Sequence, residues 1–417
     1  MDKRRVVITG IGAVTPVGND AKSAWAAVRA GQCGVGPITK FDPAGMKASL
    51  AAEVRDFSPE PAISKRDARH MDLFTQYALT AAVEAMAGAG LDKDPPDAVR
   101  CGVDVSSGIG GLSSTEFEHS KGLERGFDKI SPYYIPITIS NIAAAQIAIR
   151  FGLKGMCACP VAACAGGGNA VGDAFRHIRD GYAEVMVCGG SEATVTPMGI
   201  GGFTSMKALC LSDDPARASI PFDKERCGFV LGEGAAILVL EELAHAQARG
   251  ASIYAELLGY GVTCDAHHIT APAPDGSGGA RAMAEALADG GITPEQVDYI
   301  NAHGTSTPLN DAGECMAIKT VFGAHAGKLM VSSTKSMTGH MLGAAGAVEA
   351  VACVMALREG IVPPTIGYQE PDPACDLDYV PNTARTADLE LALSASLGFG
   401  GHNAYLAFRK YAEENGQ

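Results

Sequence analysis

The residues of this chain best suited to covalent chemistry are one cysteine and two histidines, each set in a run of small residues. Cys164 lies in Pro160-Val161-Ala162-Ala163-Cys164-Ala165-Gly166-Gly167-Gly168. From Ala170 the apolar positions Val171, Ala174, Phe175 and Ile178 recur at helical spacing, Arg176, His177 and Arg179 crowd the last turn, and Gly181 ends it. The helix start therefore faces the thiol. A dipole contribution of about 0.3 to 2 kcal/mol is expected to pull the thiol below its ordinary pKa of about 8.5. That makes Cys164 a candidate nucleophile, but the dipole alone completes only part of the activation, so polar partners are required.

Two later segments supply them. Tyr299-Ile300-Asn301-Ala302-His303-Gly304-Thr305-Ser306-Thr307-Pro308 reads as an apolar strand ending in a tight, hydroxyl-rich loop, a usual place for a catalytic side chain. Ser332-Ser333-Thr334-Lys335-Ser336-Met337-Thr338-Gly339-His340 leads into a helix rich in Ala, Gly and Val. That helix, from Ala344 to Met355, carries Glu349 as its one charge and is expected to be buried on every side.

The elements that must bring these groups together repeat along the chain. Ala82 to Leu91 aligns with Met283 to Ile292 at an offset of 201 (285 − 84), and each segment leads to a strand, Val99 to Val105 and Val297 to Asn301. The helix after Cys164 answers the helix after His340, Ala170-Val171 against Ala347-Val348 and Arg179-Asp180-Gly181 against Arg358-Glu359-Gly360. Two matches in the same order indicate duplication, and strand-helix alternation indicates an α/β fold. Equivalent helix starts in two packed halves can converge, which would bring Cys164 to His340 across a separation of 176 residues (340 − 164).

Composition narrows the class. At 417 residues, 47% hydrophobic and 19% charged, the chain has ample core for two or three domain equivalents. No apolar run approaches 20 residues, so no membrane span is expected. The apolar run from Val6 to Val17 imitates a signal peptide, yet Gly10, Gly12, Thr15 and Pro16 suit a strand and turn. Twelve scattered cysteines, with one Cys-x-Cys at Cys157 and Cys159, give neither a disulfide framework nor paired zinc spacing. A cytoplasmic location follows, with no metal and no nucleic-acid site expected. Gly10-Ile11-Gly12 lacks the third glycine and the acid of a dinucleotide site.

Four ordered motifs carry a resemblance that extends from Arg5 almost to Arg409. Val161 to Gly168, His303 to Pro308 with Asp311 and Glu314, Lys335 to His340, and Gly398-Phe399-Gly400-Gly401-His402-Asn403 together resemble the β-ketoacyl-[acyl-carrier-protein] synthases, closest to the elongating type II enzymes of bacterial fatty-acid synthesis. The resemblance implies a thiolase-like α/β fold of five layers, αβαβα, in two pseudo-duplicated halves, residues 1–254 with the cysteine and 255–412 with the histidines and lysine. It departs from the commonest pattern in the glycine-rich run after Cys164 and in His402, a place often held by threonine.

Roles carried over from that family are these. Cys164 would hold the acyl chain as a thioester, and the backbone N–H groups of Cys164 and Phe399 would form the oxyanion hole. His303 and His340 would stabilise the enolate left by malonyl decarboxylation. Lys335, paired with Glu314, would tune the histidines, and Asp311 would support their loop. Thr305 and Thr307 would face the pantetheine arm, Ile109 would limit chain depth, and Phe399 with Phe203 would gate the pocket. No cofactor is implied beyond pantetheine arriving on acyl carrier protein. At −14 the chain repels an acidic carrier overall, so docking needs a local basic patch. Lys65, Arg66 and Arg69, the first and last at i, i+4, are the expected core of it, joined by Lys207 or by Arg125 and Lys129. A homodimer is implied, with Ser131 to Pro136 reaching toward the partner.

Rival readings separate by residue type. A degradative thiolase should carry a second reactive cysteine near the C-terminal glycine-rich turn, and Ser394 to Asn403 has none. Initiating synthases pair Cys and His with Asn, where this chain has His340. A non-catalytic chain-length partner lacks the nucleophile that Cys164 supplies. A ketosynthase of a polyketide or specialised lipid pathway, with the same chemistry, remains as the alternative.

Overall fold

Ten strands form the central sheet of the computed structural model, which describes residues 3–93 and 97–412. They are β1 (Val6–Val14), β2 (Cys101–Ser106), β3 (Cys157–Ala158), β4 (Val185–Glu192), β5 (Gly234–Glu242), β6 (Ala255–Cys264), β7 (Tyr299–Asn301), β8 (Met330–Ser332), β9 (Leu391–Gly398) and β10 (His402–Lys410). Six helices matter to the site: α1 (Leu73–Ala89), α2 (Ile142–Phe151), α3 (Gly166–Arg179), α4 (Ser277–Gly290), α5 (Pro308–Phe322) and α6 (Ala345–Glu359).

The strand order, β8-β7-β9-β10-β6-β1-β5-β4-β2-β3, contains the same pattern twice. In each half the first strand pairs antiparallel with the fifth, the fifth antiparallel with the fourth, and the fourth, second and third run parallel. The halves join where Val6, Val7 and Ile8 of β1 pair with Leu257, Glu256 and Ala255 of β6.

Both faces of the sheet are buried, so its strands read as nearly continuous apolar runs. Alternation sorts the two faces: in β5, Ile237 and Val239 meet α1 and α2, whereas Ala236, Leu238 and Leu240 meet the central pair α3 and α6. In β9, Leu393 and Ala395 pack with α4 and α5, and Ala392 faces the central pair. The layers are thus helix, sheet, helix pair, sheet, helix, as the family resemblance implies.

The repeat seen in the sequence corresponds to equivalent elements. Helices α1 and α4 follow the first strand of each half, and both close on a left-handed glycine, Gly90 (φ 71°) and Gly291 (φ 63°). For the central pair the equivalence differs from the sequence alignment by two residues at its start. Single 3-10 turns at Ala163–Ala165 and Leu342–Ala344 precede α3 and α6, an offset of 179 (342 − 163), which matches the helix ends and not Ala170 to Ala347. Among the described residues no helix is long and apolar enough to cross a membrane.

Candidate active site

Cys164 occupies the 3-10 turn before α3, with Ala163 held at φ 48°, a conformation unusual for a residue with a side chain. The glycines that follow let this turn sit deep between the halves. A Cβ on Gly166 would come within 2.1 Å of Ser106 Oγ, and one on Gly167 within 2.8 Å of the Gly343 carbonyl and 2.9 Å of the Ala347 nitrogen. The starts of α3 and α6 therefore touch through backbone. This is why the run after Cys164 is so rich in glycine.

The thiol is 5% exposed, and burial pushes it up to about 12. The Lys335 charge, the Phe399 N–H and the N–H of Cys164 itself act in the opposite direction, while Glu192 raises it further. The expectation of a depressed thiol is thus corrected: in a site this dry, desolvation outweighs the helix start. Gly398 brings the two amides together, because a Cβ there would stand 3.2 Å from the Cys164 nitrogen. The Phe399 and Cys164 N–H groups both draw the thiol down, so both lie beside the sulfur.

His303 follows β7 on a loop bound from below. Glu314 of α5 accepts hydrogen bonds from the His303 and Gly304 N–H groups at 2.7 and 2.8 Å, and Asp311 accepts from Thr305 and Phe222 at 3.1 and 2.9 Å. Lys335 Nζ lies 3.3 Å from His303 Nδ1. An ammonium only donates, so Nδ1 accepts and the ring carries its proton on Nε2. His340 stands edge-on to His303, ring centroids 5.3 Å apart, with its backbone N–H donating to Val230 O at 2.7 Å. Its Nδ1 is buried without a hydrogen-bond partner, which leaves Nε2 for the cavity it lines. Burial, then the Lys335 charge, hold both imidazoles well below their ordinary range, so both are neutral.

Lys335 is 1% exposed and pairs with Glu349 of α6, not with Glu314. The sequence-based pairing fails because both Glu314 oxygens are taken by loop amides, whereas Glu349 is the single charge that α6 turns into the same dry space. Burial raises both carboxyls to about 7. Glu192, at the end of β4, was not singled out in the sequence. It accepts from Gly108 and Ile109 N–H, Ser107 Oγ and Gly343 N–H, tying the turn after β2 to the turn before α6. A carboxylate closing an otherwise apolar strand was the available signal.

A cavity of about 400 Å³ joins these groups, walled by Cys164, His303, His340, Phe399, Thr305 and Thr307. The two threonine hydroxyls are hydrogen-bonded at 2.9 Å. Lys207 stands on the same wall, with its backbone at φ 58°. Phe203 is one ring removed: Phe229, unnoticed in the sequence, lies between it and His340, edge-on to both at 5.3 and 5.1 Å. Ile109 is not brought to the cavity, being 42% exposed with its N–H held by Glu192. Lys65, Arg66 and Arg69 also lie away from it, on a four-residue helix, Lys65–Ala68, that Arg69 only caps. Lys65 pairs with Glu60 at 3.4 Å, and Arg69 borders a separate depression with Ser131 and Tyr134.

Comparison with known proteins agrees with this geometry. Residues 3–246 match the family "Beta-ketoacyl synthase, N-terminal domain" and residues 254–369 its C-terminal domain. A 3-oxoacyl-[acyl-carrier-protein] synthase 2 of Synechocystis sp. is 52% identical over 99% of both chains. Among solved structures, the ishigamide ketosynthase/chain length factor superposes with a TM-score of 0.93 at 38% identity, covering 98% of this chain and all of that one. A type II PKS acyl-carrier protein in complex with its ketosynthase gives 0.90 at 37% identity, over 99% and 100%.

Proposed function

The chain belongs to the β-ketoacyl synthase family, and from that premise we propose how its own residues condense an acyl chain with malonyl-acyl-carrier protein. It is an acyltransferase that forms 3-oxoacyl-acyl-carrier protein and CO2 in fatty-acid elongation. The observation that carries the residue assignment is the convergence of Cys164, two neutral imidazoles and Phe399 on one cavity.

In the first half-reaction the Cys164 sulfur attacks the thioester carbonyl of the acyl donor, and the oxyanion is held by the N–H groups of Cys164 and Phe399. Because the resting thiol is protonated, its proton must leave during the attack and reach the departing pantetheine sulfur. A neutral imidazole is suited to relay it. In the second half-reaction the malonyl thioester carbonyl takes hydrogen bonds from Nε2 of His303 and His340. Charge developing there as CO2 departs is stabilised by donors already in place. The resulting carbanion attacks the acyl-cysteine carbonyl, the C–S bond breaks, and Cys164 leaves as a thiolate that takes one proton from solvent to regain the thiol. Lys335 acts through His303, fixing its tautomer, and Glu349 holds Lys335.

Thr305 and Thr307 are assigned to the pantetheine arm, which the carrier protein brings, so no resident cofactor enters. Acyl carrier protein is the partner, with Lys207 at the cavity wall and the exposed Lys65, Arg66 and Arg69 assigned as its basic contacts. A homodimer, a cytoplasmic location and the division at residues 1–254 and 255–412 belong to the same reading. The polyketide alternative is distinguished by substrate. Incubation with malonyl-carrier protein and saturated acyl-carrier proteins of graded length should release one CO2 per 3-oxoacyl product. CO2 release with no elongated product would refute the reading.

A further inference from the structure

Two cysteines that the condensation does not use meet beside the cavity. Cys210 and Cys227 lie on neighbouring segments joined by the parallel bridge between Leu209 and Phe229. Cys210 N–H donates to Phe229 O and Phe229 N–H to Ala208 O, each at 3.0 Å. Gly228 lets the segments close: a Cβ there would stand 2.5 Å from the Cys210 nitrogen. The junction brings the two thiols close enough for each to shift the other. Cys210 is buried, whereas Cys227 is exposed and lines the cavity.

We propose that Cys210 and Cys227 form a reversible oxidation site at the cavity mouth, closing to a disulfide when the protein meets a peroxide. Cys227 is the attacking thiol. The neighbouring Cys210 thiol, with the Leu211 N–H, brings it down to about 7 against partial burial, which favours the thiolate. The same contact and burial push Cys210 up. Cys33 and Cys157, also exposed, have thiols pushed up by burial.

The Cys227 sulfur attacks one oxygen of hydrogen peroxide; the O–O bond breaks, a sulfenic acid forms, and the other oxygen leaves as water. The Cys210 sulfur then attacks Cys227, the S–S bond forms, and the sulfenic oxygen departs with the Cys210 proton as a second water. Two thiols lose two electrons and the peroxide gains them. The cross-link would sit two residues from Phe229, the ring that abuts His340.

The test is peptide mapping of the full chain after brief exposure to hydrogen peroxide at neutral pH. We expect a Cys210–Cys227 link lighter by two hydrogens, reversed by dithiothreitol, and forming at least about tenfold faster than any oxidation of Cys164, whose buried thiol is far less ionised. In Cys210→Ser a sulfenic acid should be trapped at Cys227. If that buried replacement does not fold, Cys227→Ser, at an exposed position, should leave Cys210 unoxidised. An untouched pair, oxidation of Cys164 first, or Cys227 passing to sulfinic acid with Cys210 still a thiol would each overturn the proposal.

Discussion

At the scale of the residue, the site works by keeping neutral groups neutral and surrounding one buried cation with partners. Lys335 touches Glu349 and His303, so its removal strands a carboxylate in a dry interior. Lys335→Met should cost about 3–5 kcal/mol of stability in chemical denaturation, and Lys335→Met/Glu349→Gln should recover part of it. An unchanged midpoint in the single variant would contradict the pairing. Because the Lys335 charge is one cause of the low His303 pKa, its loss should move that pKa up and shift the acid limb of malonyl decarboxylation to higher pH. His340→Ala should slow decarboxylation by about 10² to 10³ while Cys164 still takes an acyl group. That Cys164, His303 and His340 belong to one candidate site was legible because small-residue runs frame each of them. Glu349 as the partner of Lys335 was not, since which of two carboxylates meets a lysine depends on loop amides that no spacing rule places.

At the scale of the element, the site exists because two helix starts meet without side chains between them. Gly167→Ala would press a methyl against Gly343 and Ala347 and should destabilise by about 1–3 kcal/mol, read as a lowered unfolding midpoint. Glu192 binds the same junction. Burial raises its carboxyl from 4.5 to about 7, so between those values the folded state holds a proton that the unfolded state has lost. Stability from this group therefore falls as pH rises through that window, and Glu192→Gln should flatten the decline; a slope equal to wild type would contradict the assignment. The repeat located α1, α4, α3 and α6 from sequence alone. Its two-residue slip at the start of α6 arose because Ala and Gly fill both helices and cannot fix register.

At the scale of the whole molecule, the duplicated halves place one cysteine and two imidazoles in a single cavity, while at −14 net charge an acidic partner would have to be met by local cations. Lys207→Glu should raise KM for carrier-borne substrates more than for free pantetheine thioesters, measured side by side. The five layers followed from the family motifs and from strand-helix alternation. The extent of the helix carrying Lys65 and Arg66 did not, because its Ser64 cap and its end at Ala68 leave Arg69 outside it. In this mechanism Cys164 alone carries the acyl chain. Intact-protein mass spectrometry after incubation with acyl-carrier protein tests it most directly. Wild type should gain one acyl group mapping to Cys164, and Cys164→Ala should gain none and condense nothing. An acyl group elsewhere, or condensation by Cys164→Ala, would exclude Cys164 as the carrier of the chain.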